Sequence, residues 1–172
     1  MSLTPEQIKL LEAPLNPKHI AKRSKGGTQL SYIEGYHAID EANRIFGFDG
    51  WSHAVNTIQL LDNSHYEKNG KEHYVITYLA RVCVTINGKT SEDVGTGTAD
   101  QTNAGDAHEM AVKTAVTDGL KRALRVFGAQ FGNTHLQHVI RFIADQSIFT
   151  WPASYYRRQL IHTLQINKTI PF

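Results

Sequence analysis

HYVITYLARVCVTINGKTSEDVGTGT, residues 73–98, decides the fold. Its first half alternates: Tyr74, Ile76, Tyr78, Ala80, Val82, Val84 and Ile86 fall on one face of a strand, so that face calls for a covering layer. Asn87-Gly88 then offers two residues that tolerate positive φ, as a two-residue hairpin turn requires. The run TSEDVGTGT is expected to pair back across that turn. On the other side, WSHAVNTIQLL (51–61) alternates moderately, and DNSHYEKNGKE (62–72) reads as a polar hairpin loop. Together these segments predict a three-stranded antiparallel meander.

A long helix follows. Asp106 with Glu109 is the expected capping pair, Met110, Ala115, Leu120, Ala123, Leu124 and Phe127 the expected buried side, and Gly128 the expected C-terminal cap. Gly119 costs such a helix about 1 kcal/mol relative to Ala, so close packing or a local function must require it. Upstream, Ile39, Ala42, Ile45 and Phe46 have helical spacing, with Gly47 as the stop. Thr4 and Pro5 open a short helix over 4–12. Between these helices, KHIAKRSKGGTQ (18–29) carries Lys18, Lys22, Arg23 and Lys25 without an acid and reads as a basic loop. The expected class is α+β, a β-β-β-α core. Residues 1–134 are predicted to form one domain and 135–172 a peripheral C-terminal segment without clear periodicity.

The whole chain has 172 residues and a formal charge of only +2, so the distribution of charge says more than its total. Cys83 is the one cysteine, which excludes an internal disulfide and favours reducing, intracellular surroundings. The N-terminal residues lack the apolar core of a secretory signal. No apolar run approaches the roughly 20 residues that cross a bilayer.

On the long helix, Lys113, Thr117, Lys121 and Arg125 recur every four residues, and Arg122 lies beside them within reach of Asp118 at i,i+4. Counted along the helix from Lys113 to Arg125, the local charge is +3. Such a stripe suits phosphates along a strand, and a solvated face is the competing reading. Tyr32, next to the basic loop, is a contact candidate, because rings beside cations are what a single-strand groove uses. Chemistry finds less support. Asn87-Gly88-Lys89-Thr90 lacks the earlier glycine of a P-loop, and GTGTADQTNAG lacks the dinucleotide spacing. His135 and His138 are three apart without a completing ligand nearby, so no metal site is expected. Glu92, Asp93 and Asp100 keep a metal-dependent nuclease as the alternative reading, although adjacent strand residues face opposite ways.

Three stretches, YIEGYHAIDEANRIFGFDGWS (32–52), EDVGTG (92–97) and AVTDGLKRALRVFGAQFGN (115–133), resemble in this order the annealing domain of the Rad52 family of recombination proteins. The resemblance runs from about Lys22 to Asn133. It implies a β-β-β-α core closed into an oligomeric ring that binds single-stranded DNA and anneals complementary strands without ATP or any cofactor, in homologous recombination and double-strand break repair. It implies no enzyme activity. By the same resemblance, Lys121, Arg122 and Arg125 contact the DNA backbone, with Tyr32 and either Lys22 or Arg23 contributing. Lys71 matches a lysine of a second, outer DNA site, where a further lysine of the relatives is replaced by Thr102 or Asn103. Longer eukaryotic relatives have tails that bind a recombinase and a single-strand-binding protein; nothing here matches those tails. The expected setting is cytoplasm or nucleoid for a bacterial or phage protein, and nucleus or organelle for a eukaryotic one. A self-assembling scaffold that binds nucleic acid incidentally is the third reading.

Overall fold

The computed structural model describes residues 2–25 and 27–133, so the expectation for 135–172 lies outside the described residues. Helix α1 (Pro5–Glu12) opens with a capping box in which the Thr4 hydroxyl accepts from Gln7 N and the Gln7 side chain accepts from Thr4 N. Gln7 Nε2 also donates to the Ile45 carbonyl, tying α1 to the second helix. The basic segment expected as a loop is instead a hairpin, β1 (Ile20–Lys25) with β2 (Thr28–Ile33), in register from Ile20↔Ile33 to Lys25↔Thr28. Gly27, at φ +80°, allows the tight turn that lets these charged residues pair their backbone groups.

Helix α2 (Gly35–Phe46) buries Ala38, Ala42, Ile45 and Phe46 and ends at Gly47, as expected; Ile39, assigned to the same face, is 36% exposed. The meander follows, in the order β3 (Trp51–Lys68), β4 (Lys71–Ile86), β5 (Lys89–Gln101), all antiparallel. It is longer than anticipated. The segment 62–72 is not a loop: β3 and β4 run on to a two-residue turn at Asn69-Gly70, whose φ angles of +54° and +71° match those of the anticipated turn at Asn87-Gly88. Irregularities between Val55 and Thr57 and between Leu60 and Asp62 break the β3 register, which blurs its alternation in sequence.

Helix α3 (Ala104–Arg125) starts two residues before the expected cap, because Asn103 accepts from Asp106 N and is itself the N-cap. It ends at Arg125, so Gly128 lies beyond it and opens a short 3-10 turn. Met110 is exposed rather than buried. The helix packs on β4 and β5 through Ala107, Ala111, Ala115, Gly119 and Ala123, a row of small residues spaced by four. The approach is too close for side chains on the strand. A Cβ on Gly95 would stand 2.1 Å from Gly119 N, and one on Gly97 would stand 2.2 Å from the Ala111 carbonyl. Gly119 is required for the same reason: its Cβ would meet a Val82 methyl at 2.7 Å. Beneath the helix lie Ile76, Ala80, Val82, Val84 and Ile86, the buried face anticipated from alternation.

Strand β3 is an exception. It lies at the sheet edge, and α3 barely reaches it. Val55, Ile58 and Leu60, which pair with helix-covered residues of β4, are therefore 40–49% exposed.

Candidate nucleic-acid interface

A groove of about 660 Å³ runs along α3. Tyr32, at the end of β2, and Gly35 and Tyr36, at the start of α2, form one wall; Thr96 and Thr98 of β5 form the other. Lys113, Thr117 and Lys121 of α3 line it between them. The narrow approach depends on glycine, since a Cβ on Gly35 would lie 2.5 Å from the Thr117 methyl. Thr117 turns its hydroxyl back to donate to the Lys113 carbonyl at 2.8 Å, leaving its methyl toward α2.

The expected contact residues converge in part. Lys121 Nζ lies 5.7 Å from the Tyr32 ring centroid, so the helix cation and the hairpin aromatic share the groove in cation–π geometry. Arg125 is exposed in the last turn of α3. Arg122 does not pair with Asp118; its Nε donates to Asp93 Oδ1 at 3.1 Å, across from helix to strand. Lys113 pairs with Glu109 one turn earlier. Once Asp93 and Glu109, and Glu34 on the groove wall, are included, the local charge falls from +3 to zero. Lys22 is exposed, but it pairs with Ser31 and therefore faces away from Tyr32, which pairs with Ala21. Position 23 pairs with Leu30. Lys71 stands apart at the tip of the β3–β4 hairpin opposite Lys68, while Asn103 is engaged as the α3 cap.

The three acids of the alternative reading have separate partners. Glu92 accepts from Asn56 at 2.7 Å and faces Arg81 at 3.5 Å. Asp100 accepts from the Tyr66 hydroxyl at 2.6 Å and meets His73 Nδ1 at 2.9 Å; these hydrogen bonds lower its pKa. Asp93 is partly buried, which by itself raises its pKa; the Val94 amide, Arg122 and Arg125 outweigh this and hold it below the usual range. Among the described residues, no group of three or more His, Cys, Asp or Glu is arranged to hold a metal.

Two features escaped sequence reasoning. The pairing of Asp93 with Arg122 is one, and the pair His19 and His37, with ring centroids 3.9 Å apart, is the other. His37 Nε2 is buried without a hydrogen-bond partner. Burial and the neighbouring His19 lower its pKa.

A three-stranded meander crossed by one long helix, with a cation-bearing groove beside that helix, defines an α+β domain of β-β-β-α type. The Rad52/22 family of double-strand break repair proteins matches residues 5–144, and the chain belongs to this family. Its relatives include the DNA repair and recombination protein RAD52 of Kluyveromyces lactis, 43% identical over 127 residues, which cover 72% of this chain and 28% of the relative. RAD52 of Saccharomyces cerevisiae is 43% identical over 127 residues, covering 72% of this chain and 26% of the relative. The DNA repair and recombination protein rti1 of Schizosaccharomyces pombe is 36% identical over 153 residues, covering 85% and 41%. The chain thus spans between a quarter and about two-fifths of the length of these relatives.

Proposed function

We propose that this chain binds single-stranded DNA along α3 and anneals complementary strands without ATP, in recombination and repair of double-strand breaks. The observation that carries the reading is the Lys121–Tyr32 pair in the groove along α3, with Arg122 and Arg125 following in the last turn of the same helix. Cations there neutralise phosphates and release counterions, while contacts to the backbone read no sequence, so any strand can load. Tyr32 supplies an aromatic face beside the phosphate path. A second strand then pairs with the exposed base edges, and duplex formation supplies the driving free energy.

Self-association is part of the proposal. Val55, Ile58 and Leu60 form an apolar stripe on an edge strand, a surface that a second copy of the chain would cover. Repeating the groove in a ring multiplies weak contacts into avidity. Lys22 or Arg23, Lys113 and Lys71 are proposed as accessory contacts, with Lys71 the most remote from the groove.

The test is annealing of complementary oligonucleotides in EDTA without ATP, with strand binding titrated against salt. Lys121→Ala with Arg125→Ala is expected to weaken binding and to lower the salt slope by about 1.4, about 0.7 for each phosphate contact with a single strand. An unchanged slope would remove both residues from the interface. Loss of oligonucleotide on adding magnesium would favour a nuclease, and assembly without salt-sensitive binding a scaffold.

A further inference from the structure

The strand-binding reading uses the cations of α3 and leaves the acid among them unexplained. Asp93 lies beside Arg122 and close enough to Arg125 to be stabilised by its charge. By Coulomb's law alone, a carboxylate here opposes phosphate binding.

Its position follows from how strand and helix interlock. Gly97 lies against Ala111 and Ala115, and Gly95 against Ala115 and Gly119. Two residues along a strand advance about 6.6 Å, and four along a helix about 6 Å, so the two pitches nearly match. One further step from Gly95 places Asp93 opposite the turn that holds Arg122. The contact is therefore fixed by backbone packing and does not depend on a chance meeting of two long side chains.

The hydrogen bonds on the acid are equally directed. Asp93 Oδ1 accepts from its neighbour Val94 N at 2.7 Å, which orients the carboxylate, and then from Arg122 Nε at 3.1 Å. Binding through Nε leaves the Nη1 and Nη2 edge of the guanidinium to meet a phosphate. Arginine has many rotamers, and a held guanidinium loses less freedom when a ligand binds.

We infer that Asp93 is a positioning residue for strand binding, holding Arg122 by Nε so that its outer nitrogens are presented to the phosphate backbone. The inference rests on the proposal that α3 grips the strand. Its sign runs against simple electrostatics: removing the acid is expected to weaken binding, although it makes the site more positive.

The experiment uses the full chain and a fluorescent thirty-residue oligothymidylate at fixed salt. Asp93→Ala, which loses the acceptor, is expected to bind roughly five- to tenfold more weakly. Asp93→Asn keeps Oδ1 as an acceptor and is expected to stay within about twofold of the parent. In an Arg122→Ala background, Asp93→Ala is expected to cause no further loss, because there is no longer a guanidinium to hold. Tighter binding by both Asp93 variants would overturn the inference and make the acid a competitor of phosphate. A full additional loss in the Arg122→Ala background would also overturn it, since the damage would then lie in the fold. If Arg122→Ala alone left binding unchanged, the role of α3 at this residue would fail as well, which separates the two failures.

Discussion

The contact between β5 and α3 makes Gly95→Ala the most demanding test of the fold. The added methyl would lie 2.1 Å from Gly119 N and 2.2 Å from the Ala115 carbonyl. Both are backbone atoms of a helix, so no side chain can rotate to relieve the clash. Restoring ordinary contact, near about 3.4 Å, means moving helix and strand apart by about 1.3 Å locally. A radial gap of about 0.5–1 Å already forfeits a quarter to a half of each dispersion contact, and the residues affected include Ala115 and Gly119. Overpacking of this kind typically costs about 1–3 kcal/mol, and the backbone clash puts Gly95→Ala at or above the upper end. With a midpoint change of about 3–6 °C per kcal/mol for a domain of this size, thermal unfolding is expected about 10–15 °C below the parent. Gly105→Ala is the control: its Cβ meets only the Asn103 side chain, at 3.2 Å, inside the first turn of α3. It is expected to unfold within a few degrees of the parent, since the gain in helix propensity offsets that adjustment. Circular dichroism melts of both variants read the contrast. If Gly95→Ala melted within about 2 °C of the parent, the close approach, and with it the placement of Asp93 opposite Arg122, would be wrong.

Two further outcomes are expected. Ile58→Asp with Leu60→Asp places charge on side chains already exposed in the single chain, so its folding is expected to change little while any self-association through β3 is lost. Light scattering would then report the mass of one chain, and an unchanged assembly would clear this stripe of the role. His37 gives a pH dependence. Its folded pKa lies below 6.5, so the unfolded chain binds the extra proton more readily; the stabilisation is complete above pH 6.5 and is lost as pH falls through the folded pKa. Melting temperature is therefore expected to drop between pH 7 and acid, and His37→Phe to flatten that drop in scans referenced to carboxylate titration below pH 5. His19, Asp40, Glu41 and Arg44 are the ionisable groups facing this ring, and an equally steep curve in the variant would move the effect to them.

Where one face is buried and the period undisturbed, sequence carried the structure. The seven alternating residues from Tyr74 to Ile86 identified β4 because helix α3 covers that face along its length. β3 was harder to read: both of its faces are exposed in the single chain, and two register shifts break its period. Asn69-Gly70 is chemically the same turn as Asn87-Gly88, but its flanks, Glu67-Lys68 and Lys71-Glu72, are charged and offer no alternation to point at it. The hairpin β1–β2 was hidden in the same way by Lys22 and its charged neighbours. At the groove, the four-residue spacing of Lys113, Thr117 and Lys121 was legible because a helix face is a local property. The Arg122–Asp93 pair was not, since its members are 29 residues apart and Asp118 was the nearer partner in sequence. One signal was available. Gly95-x-Gly97 facing a small-residue row through Gly119 means that strand and helix touch by backbone, and this fixes which residues meet beyond the contact.

The reduced charge of the groove bears on how annealing would work. A local charge of zero gives one chain little hold on a polyanion, and about three phosphate contacts would imply a salt slope near only about 2 for each copy. A site that gripped each nucleotide tightly would bind well as a monomer, but it would then resist the rearrangement that pairing with a second strand demands. Weak grips repeated around an assembly avoid the conflict. Their sum retains the strand, while any one contact opens at low cost and lets a short run of bases test its complement. On this view the acids beside α3 belong to the activity: Glu109 moderates Lys113, and Asp93 gives up net charge in return for a fixed orientation of Arg122. The exposed stripe on β3 fits the same proposal, since a groove this weak would be useful only if copies of the chain stood side by side.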